Sequence, residues 1–187
     1  MKKYEFTGET KQVGFFGNIT LKRIRATMEF GIVKIGDLGG WIEKEENLSH
    51  EGDAWVYDNA EVYGNAKVCG NAKVWGDAWV YDNAEVWGDA KVYGNAEVWG
   101  DAKVYGDAEV FSISHVLVVG PIGSRNDFTT FFRDKDSEIT VKCGCFLGKI
   151  DKFLEKVCET HGDSKYAIVY RTAVEIAKQQ IDLSEEN

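Results

Sequence analysis

Only one proline and three histidines occur in 187 residues, with two methionines and four cysteines. The cysteines are Cys69, Cys143, Cys145 and Cys158. Their spacing matches no metal finger, and they are too few for a disulfide scaffold, so a reducing cytoplasm is the expected location. No apolar run approaches the ~18 residues of a membrane span, and the first residues lack the apolar stretch of a secretory signal. Basic charge is also short: 22 Lys and Arg stand against 31 Asp and Glu, for a formal charge of -9. That balance argues against direct nucleic-acid binding. What remains is the composition of a soluble globular chain, 44% hydrophobic and 28% charged. Its length allows one domain of roughly 150 residues with small appendages.

The order of the residues is far from average. From Ala54 to Ile113 the chain falls into ten uninterrupted blocks of six, each with Ala first and Val third. A short repeat of fixed period predicts a solenoid, and a six-residue period predicts a β-helix. In a strand, Ala and Val two positions apart share one face, while the residue between them faces outward. Gly-Asn, Gly-Asp or Asp-Asn then supplies backbone able to turn a corner. Three sides of six close a coil of eighteen residues with Val inside. Weaker blocks flank the ten, at 48–53 before and at 114–119 and 120–125 after. If all of 48–125 coils, about 4.3 turns form over about 20 Å. Burial of the ten valines falls well short of the backbone entropy of ordering sixty residues, so inter-coil hydrogen bonds, stacked side chains and capped ends must contribute.

These blocks resemble the hexapeptide-repeat left-handed β-helix superfamily, best known from acyltransferases. Handedness comes from that resemblance alone. The general preference for right-handed crossovers keeps a right-handed β-helix as the alternative. The fold class expected is therefore mainly β: a parallel β-helix over 48–125, an N-terminal β cap over 1–47 and a C-terminal α+β cap over 126–187.

Residues eighteen apart should form outward columns. After each Val these read Tyr57/Trp75/Tyr93/Phe111, Tyr63/Tyr81/Trp99 and Cys69/Trp87/Tyr105. Two readings stand: a structural ring ladder, or an apolar surface for a partner. Between Ala and Val, Lys67/Glu85/Lys103 places opposite charges over one another. Trp55 and Trp79 interrupt the charged pattern and are expected contact residues, together with Trp75, Trp87 and Trp99. Asp89 and Asp107 stack two carboxylates and join that candidate surface. The spacing lacks the repeat of calcium-binding β-helices, so no metal is expected. Residues 54–113 carry four basic and ten acidic side chains, -6 of the total -9, so a charged partner should be basic.

At the N-terminal end, 18–25, 30–35 and 36–42 read as short strands and turns. Gly36-Asp-Leu-Gly-Gly40 lacks the Gly-Lys-Ser/Thr ending of a phosphate loop and reads as the turn that starts the first coil. At the C-terminal end, 128–133 and 139–146 should pair as a hairpin, with Cys143 and Cys145 on one strand face. Helices are expected at 149–160 and about 164–181 and should cover the open end of the prism. The stripe on the second includes Tyr166, Tyr170, Val174 and Ile181, with surplus apolar surface expected to drive a homo-oligomer, dimer or trimer.

The whole arrangement is also similar to uncharacterised hexapeptide-repeat proteins of phages, prophages and gut bacteria. The segments that carry this are Gly36–Glu43, Asn126–Arg133 and Gly144–Gly148. That resemblance implies no known chemistry or cofactor. An acyltransferase needs a base, for which His115 is the candidate, and commonly a loop inserted in the coil, which 54–113 lacks. His50, His115 and His161 are too dispersed in sequence for a three-histidine zinc site. The expectation is a non-enzymatic interaction protein, phage-encoded, that inhibits a host protein with a basic surface by occupying a nucleic-acid groove. The alternatives are a hexapeptide-repeat acyltransferase and a self-assembling scaffold joined through coil ends.

Overall fold

A computed structural model describes residues 2–14 and 16–184. The hexapeptides form ten two-residue strands, β4 (Trp55–Val56) through β13 (Glu109–Val110), joined by tight turns. Strands pair in parallel with those eighteen residues away, Val56 beside Val74 beside Val92 beside Val110 on one side of the prism. A second side stacks Val68, Val86 and Val104, and the third stacks Val62, Val80 and Val98. Every Ala and Val of the ten blocks is fully buried. The predicted solenoid with interior valine is what the structure contains.

Backbone polar groups are satisfied between coils, three bonds in each of the five blocks over 60–89. From Ala54 to Ala90, the N–H after each Ala donates to the Ala carbonyl of the next coil, as Lys73 to Ala90 at 2.9 Å. The N–H after Val and that before the next Ala do likewise, as Trp75 to Val92 and Asp77 to Gly94, each 3.0 Å. The corner residue sits at positive φ. Glycine fills most corners, and Asp58 (φ 52°) and Asp82 (φ 61°) fill the two written Asp-Asn. Aspartate tolerates that region better than most residues with a side chain. Outside the corners runs an amide ladder at the same spacing: Asn65 Nδ2 donates to Asn83, Asn83 to Asp101, and Asn71 to Asp89, at 3.0–3.2 Å.

The solenoid starts earlier and stops sooner than the weak blocks imply. A hairpin of β1 (Tyr4–Val13) and β2 (Ile19–Ala26) passes to β3 (Leu38–Ile42), which pairs in parallel with β5 (Glu61–Val62). Leu48 bridges to Val68. With the ten strands these make twelve sides, or about four turns. Gly36–Ile42 thus enters the first coil, as its turn-like sequence implies. The paired glycines allow it: a Cβ on Gly40 would lie 2.7 Å from the Ala60 carbonyl oxygen. The segment 30–35 is not a strand; Phe30 and Val33 close a tight turn that leaves Ile32 and Ile35 exposed.

The blocks 114–125 do not coil. A 3-10 turn at Ile113–His115 ends the repeat, and β14 (Val116–Ile122) pairs antiparallel with β15 (Asp127–Arg133). Two more strands follow, β16 (Ile139–Cys143) and β17 (Phe146–Lys149), so the expected hairpin is half of a four-stranded sheet. That sheet, not the helices, closes the prism. Phe132 packs into the prism core, whereas neighbouring Phe131 packs with α1 (Ile150–His161) and α2 (Lys165–Gln180). Thr130 Oγ1 accepts from the Lys103 N–H at 3.0 Å, and the Lys135 N–H donates to the Asp107 carbonyl.

At the other end the buried Lys3 ammonium donates to the Ala54 carbonyl at 2.7 Å and to that of Gly52 at 3.3 Å. Burial lowers its pKa to about 8. Both ends are covered, which removes the open edges that a filament joined through coil ends requires.

Candidate functional site

The outward columns form as the eighteen-residue spacing requires. Trp75 stacks on Tyr93 with centroids 4.4 Å apart and planes 1° apart, and Tyr63 stacks on Tyr81 at 5.2 Å. Trp87 leans on Tyr105 at 6.2 Å, tilted by 43°. Trp79 remains 42% exposed, and Trp87 and Trp99 52% each. Trp55 is a correction. The N-terminal cap folds over it, with Tyr4, Phe30 and Tyr57 edge-on around its ring, and it is fully buried. Periodicity assigns Trp55 outward, but the first coil has no coil beneath it, so the cap occupies that place.

The carboxylates of the candidate surface already have partners. Asp89 accepts from Asn71, and Asp107 pairs with Lys135 at 3.0 Å. Lys91 and Glu109 pair at 2.6 Å across one coil step, and Glu85 accepts from the Tyr105 hydroxyl. Of the four residues expected to drive oligomerisation, Tyr170, Val174 and Ile181 lie in the cap core, and half-buried Tyr166 packs near His161. Burial against the sheet and α1 removes those three from any interface. The exposed apolar residues of α2 are Ile168, Val169 and Ile176.

Two histidines are structural. His115 Nδ1 accepts the Phe111 N–H at 3.2 Å, with the ring edge-on to Phe111 at 4.2 Å. Burial, then the Arg133 charge, holds its pKa below the usual range. His50 Nδ1 accepts the Lys3 N–H at 3.2 Å, and its ring stacks on Tyr4. Its Nε2 is buried with no hydrogen-bond partner among the described residues, 3.9 Å from a Glu45 oxygen. Burial lowers this pKa too, against the opposing pull of Glu45. A catalytic base must reach a substrate proton. His115, the expected base, is turned into the core.

His161, at the end of α1, is placed differently. It lines a cavity of about 280 Å³ in the cap, between the β14–β15 turn, the β16–β17 turn and the two helices. Its ring stacks on Tyr170 at 5.8 Å. Cys143 Sγ donates to the Tyr170 hydroxyl at 3.9 Å and accepts from Thr129 Oγ1 at 3.2 Å. Burial foremost, and the Cys143 thiol after it, push Tyr170 up to about 12, so it stays neutral near pH 7. Gly123 is required twice over: its φ is 72°, and an added Cβ would fall 1.8 Å from the Tyr170 oxygen. Cys143 ends β16, whereas Cys145 sits exposed in the following turn, so the two do not share a strand face.

A second concavity, about 520 Å³, runs where the last coils meet the cap. Trp99, Asp101 and Ile113 form its solenoid wall, and Leu117, Phe128 and Gln180 its cap wall. Glu97 stands at its edge and accepts from the Tyr81 hydroxyl at 3.3 Å.

Among the described residues, no helix is long and apolar enough to cross a membrane, and no group of three His, Cys, Asp or Glu is placed to hold a metal ion. No protein-family model matches the chain. The chain is similar to YdcK of Escherichia coli (strain K12), an uncharacterized acetyltransferase. The two are 34% identical over 67 residues, which is 33% of this chain and 21% of that protein. The chain thus spans about a fifth of the length of the curated relative it matches. Ten regular hexapeptides and parallel stacked coils make this a hexapeptide-repeat β-solenoid.

Proposed function

We propose that the protein is an acyl-transfer protein of the hexapeptide-solenoid type, taking its acyl group from a thioester donor such as acetyl-coenzyme A. The observation that carries this reading is the similarity to YdcK, an uncharacterized acetyltransferase, over 67 residues. It replaces the expectation of a non-enzymatic inhibitor as the better-supported view. The concavity beside Trp99 supports donor binding. Its walls of Trp99, Ile113, Leu117 and Phe128 suit an extended aliphatic arm, and Glu97 and Gln180 offer polar contacts to the arm's amides.

Calorimetry with acetyl-coenzyme A tests the reading. Binding with a Kd below about 1 mM, weakened roughly tenfold by Trp99→Ala, is the expected result. Absence of heat at about 1 mM donor, or binding indifferent to Trp99→Ala and Ile113→Asp, overturns it.

A second reading has its own support. Trp79, Trp87 and Trp99 expose ring surface on a rod of net charge -6, as a protein that binds and inhibits a basic partner would. The phage origin and host target implied by family resemblance belong to this reading. It expects Trp79→Ser with Trp87→Ser to abolish capture of a basic partner while leaving acetyl-coenzyme A binding intact.

A further inference from the structure

The cap cavity is chemically unlike the rest of this acidic molecule. Arg125, in the β14–β15 turn, lines it and has no carboxylate partner among the described residues. Lys156, on α1, lines the opposite wall. Among the described residues it pairs only with exposed Glu159, three residues on, a contact weak enough to be exchanged. The single carboxylate of the lining is Asp127, and one of its oxygens is occupied by the Phe128 N–H at 2.8 Å. By formal charge, with histidine left out of the count, the lining carries +1 within a chain of -9.

Beneath these charges the floor is apolar. Phe146 and Phe153 pack with centroids 5.3 Å apart, and Val157 adjoins them. Tyr170 projects the one hydroxyl of α2 that lines the space, and Gly123, at φ 72°, leaves room for it. A guanidinium is suited to carboxylate or phosphate because its fork matches two oxygens at once. At about 280 Å³ the space falls at the lower end for small-molecule sites and excludes cofactor-sized molecules.

We propose that this cavity is a binding site for a small organic anion, a carboxylate or phosphate monoester on a compact apolar body. The anion meets Arg125 and Lys156, and the body lies on Phe146 and Phe153. The site is separate from the concavity beside Trp99 and does not depend on the acyl-transfer reading.

The test is calorimetry on the full chain with phenyl phosphate, phenylacetate and inorganic phosphate. Phenyl phosphate or phenylacetate is expected to bind with a Kd below about 1 mM, at least about tenfold tighter than inorganic phosphate. Arg125→Gln should weaken binding about tenfold or more, with an unchanged melting curve because Arg125 is exposed. Trp99→Ala should leave binding unaltered. Alkylation with iodoacetamide gives a readout independent of heat. Either organic anion should slow modification of Cys145, which lines the cavity, and spare Cys158, which does not. No binding of either organic anion at about 10 mM overturns the proposal. So does an Arg125→Gln protein that binds as well as the wild type, equal affinity for inorganic phosphate, or equal protection of both cysteines.

Discussion

Three glycines separate two reasons why a solenoid excludes a side chain, and substituting each by alanine measures them apart. Gly100 has φ of 65°, and nothing lies within 4 Å of the place an added methyl would take, so Gly100→Ala is strained only by its dihedral angle. The left-handed region costs about 1–2 kcal/mol, offset by about 0.4–1 kcal/mol from a less flexible unfolded chain. A net loss of about 0.5–1.5 kcal/mol follows. Gly40 has no positive φ but no room: its Cβ would meet the Ala60 oxygen and Val56 Cγ1, both at 2.7 Å. The same Ala60 oxygen accepts the Trp41 N–H at 2.9 Å, and the Val62 oxygen accepts the Glu43 N–H at 3.1 Å. Relief requires β3 to withdraw from β5, straining both bonds. Overpacking of about 1–3 kcal/mol plus part of two hydrogen bonds gives about 2–4 kcal/mol. Gly52 combines both penalties, with φ of 68° and a Cβ 2.3 Å from the Gly70 oxygen, and should lose the most. Urea titration followed by far-ultraviolet circular dichroism gives the three values, and each kcal/mol should lower Tm by about 2–4 °C in a chain of this size. If Gly100→Ala is the most damaging, or Gly40→Ala costs less than about 1 kcal/mol, the close approach of β3 to the first full coil does not constrain this fold.

Val92→Ala empties part of a fully buried side of the prism and should cost about 2–3 kcal/mol in the same titration. Trp75→Ala should destabilise more than Trp87→Ala, because Trp75 stacks flat on Tyr93 whereas Trp87 is tilted and half exposed; thermal melts decide the order. Stability should fall as pH drops from 7.5 to 5.5. Burial holds His115 and His50 below their unfolded values near 6.5, so their contribution is complete above that pH and is lost as the unfolded chain takes up protons first. A urea midpoint that rises on acidification to pH 5.5 would contradict this. Asp134 acts at lower pH. Burial works against its charge but is outweighed by Lys149, Thr140 and the Glu138 and Asp136 N–H groups, so its pKa is depressed. Its contribution is present above about pH 4 and disappears as pH falls through the folded value, a step that Asp134→Asn should remove from the acid titration.

The periodic part of the fold was legible because each block repeats the same local rule. Alternation decides which residues enter the prism, and corner residues mark where it bends. The repeat says nothing of what touches its first and last coils. Trp55 obeys the outward register, yet it is buried because the cap, rather than another coil, lies beneath it. Blocks 114–125 keep the spacing loosely, but Val116–Ile122 is captured by an antiparallel partner in the cap sheet. The cap cavity left fainter traces still. Arg125, Lys156, His161 and Tyr170 come from one turn and two helices, and no spacing in the sequence joins them. Gly123 is the nearest thing to a local sign, but its φ of 72° in the β14–β15 turn would favour glycine even without the Tyr170 hydroxyl beside it.

A coil of fixed length has a bearing on how such a molecule changes size. Each side of the prism returns to itself every eighteen residues, and the amide ladder and the inter-coil hydrogen bonds recur with that period. Excision of one whole coil, such as 66–83, rejoins Asn65 to Ala84 with every register intact and brings the terminal caps closer by about 4.8 Å. Removal of six or twelve residues rotates one cap by a third of a turn relative to the other. The distance between the ends is therefore graduated in steps, and their relative orientation has three settings.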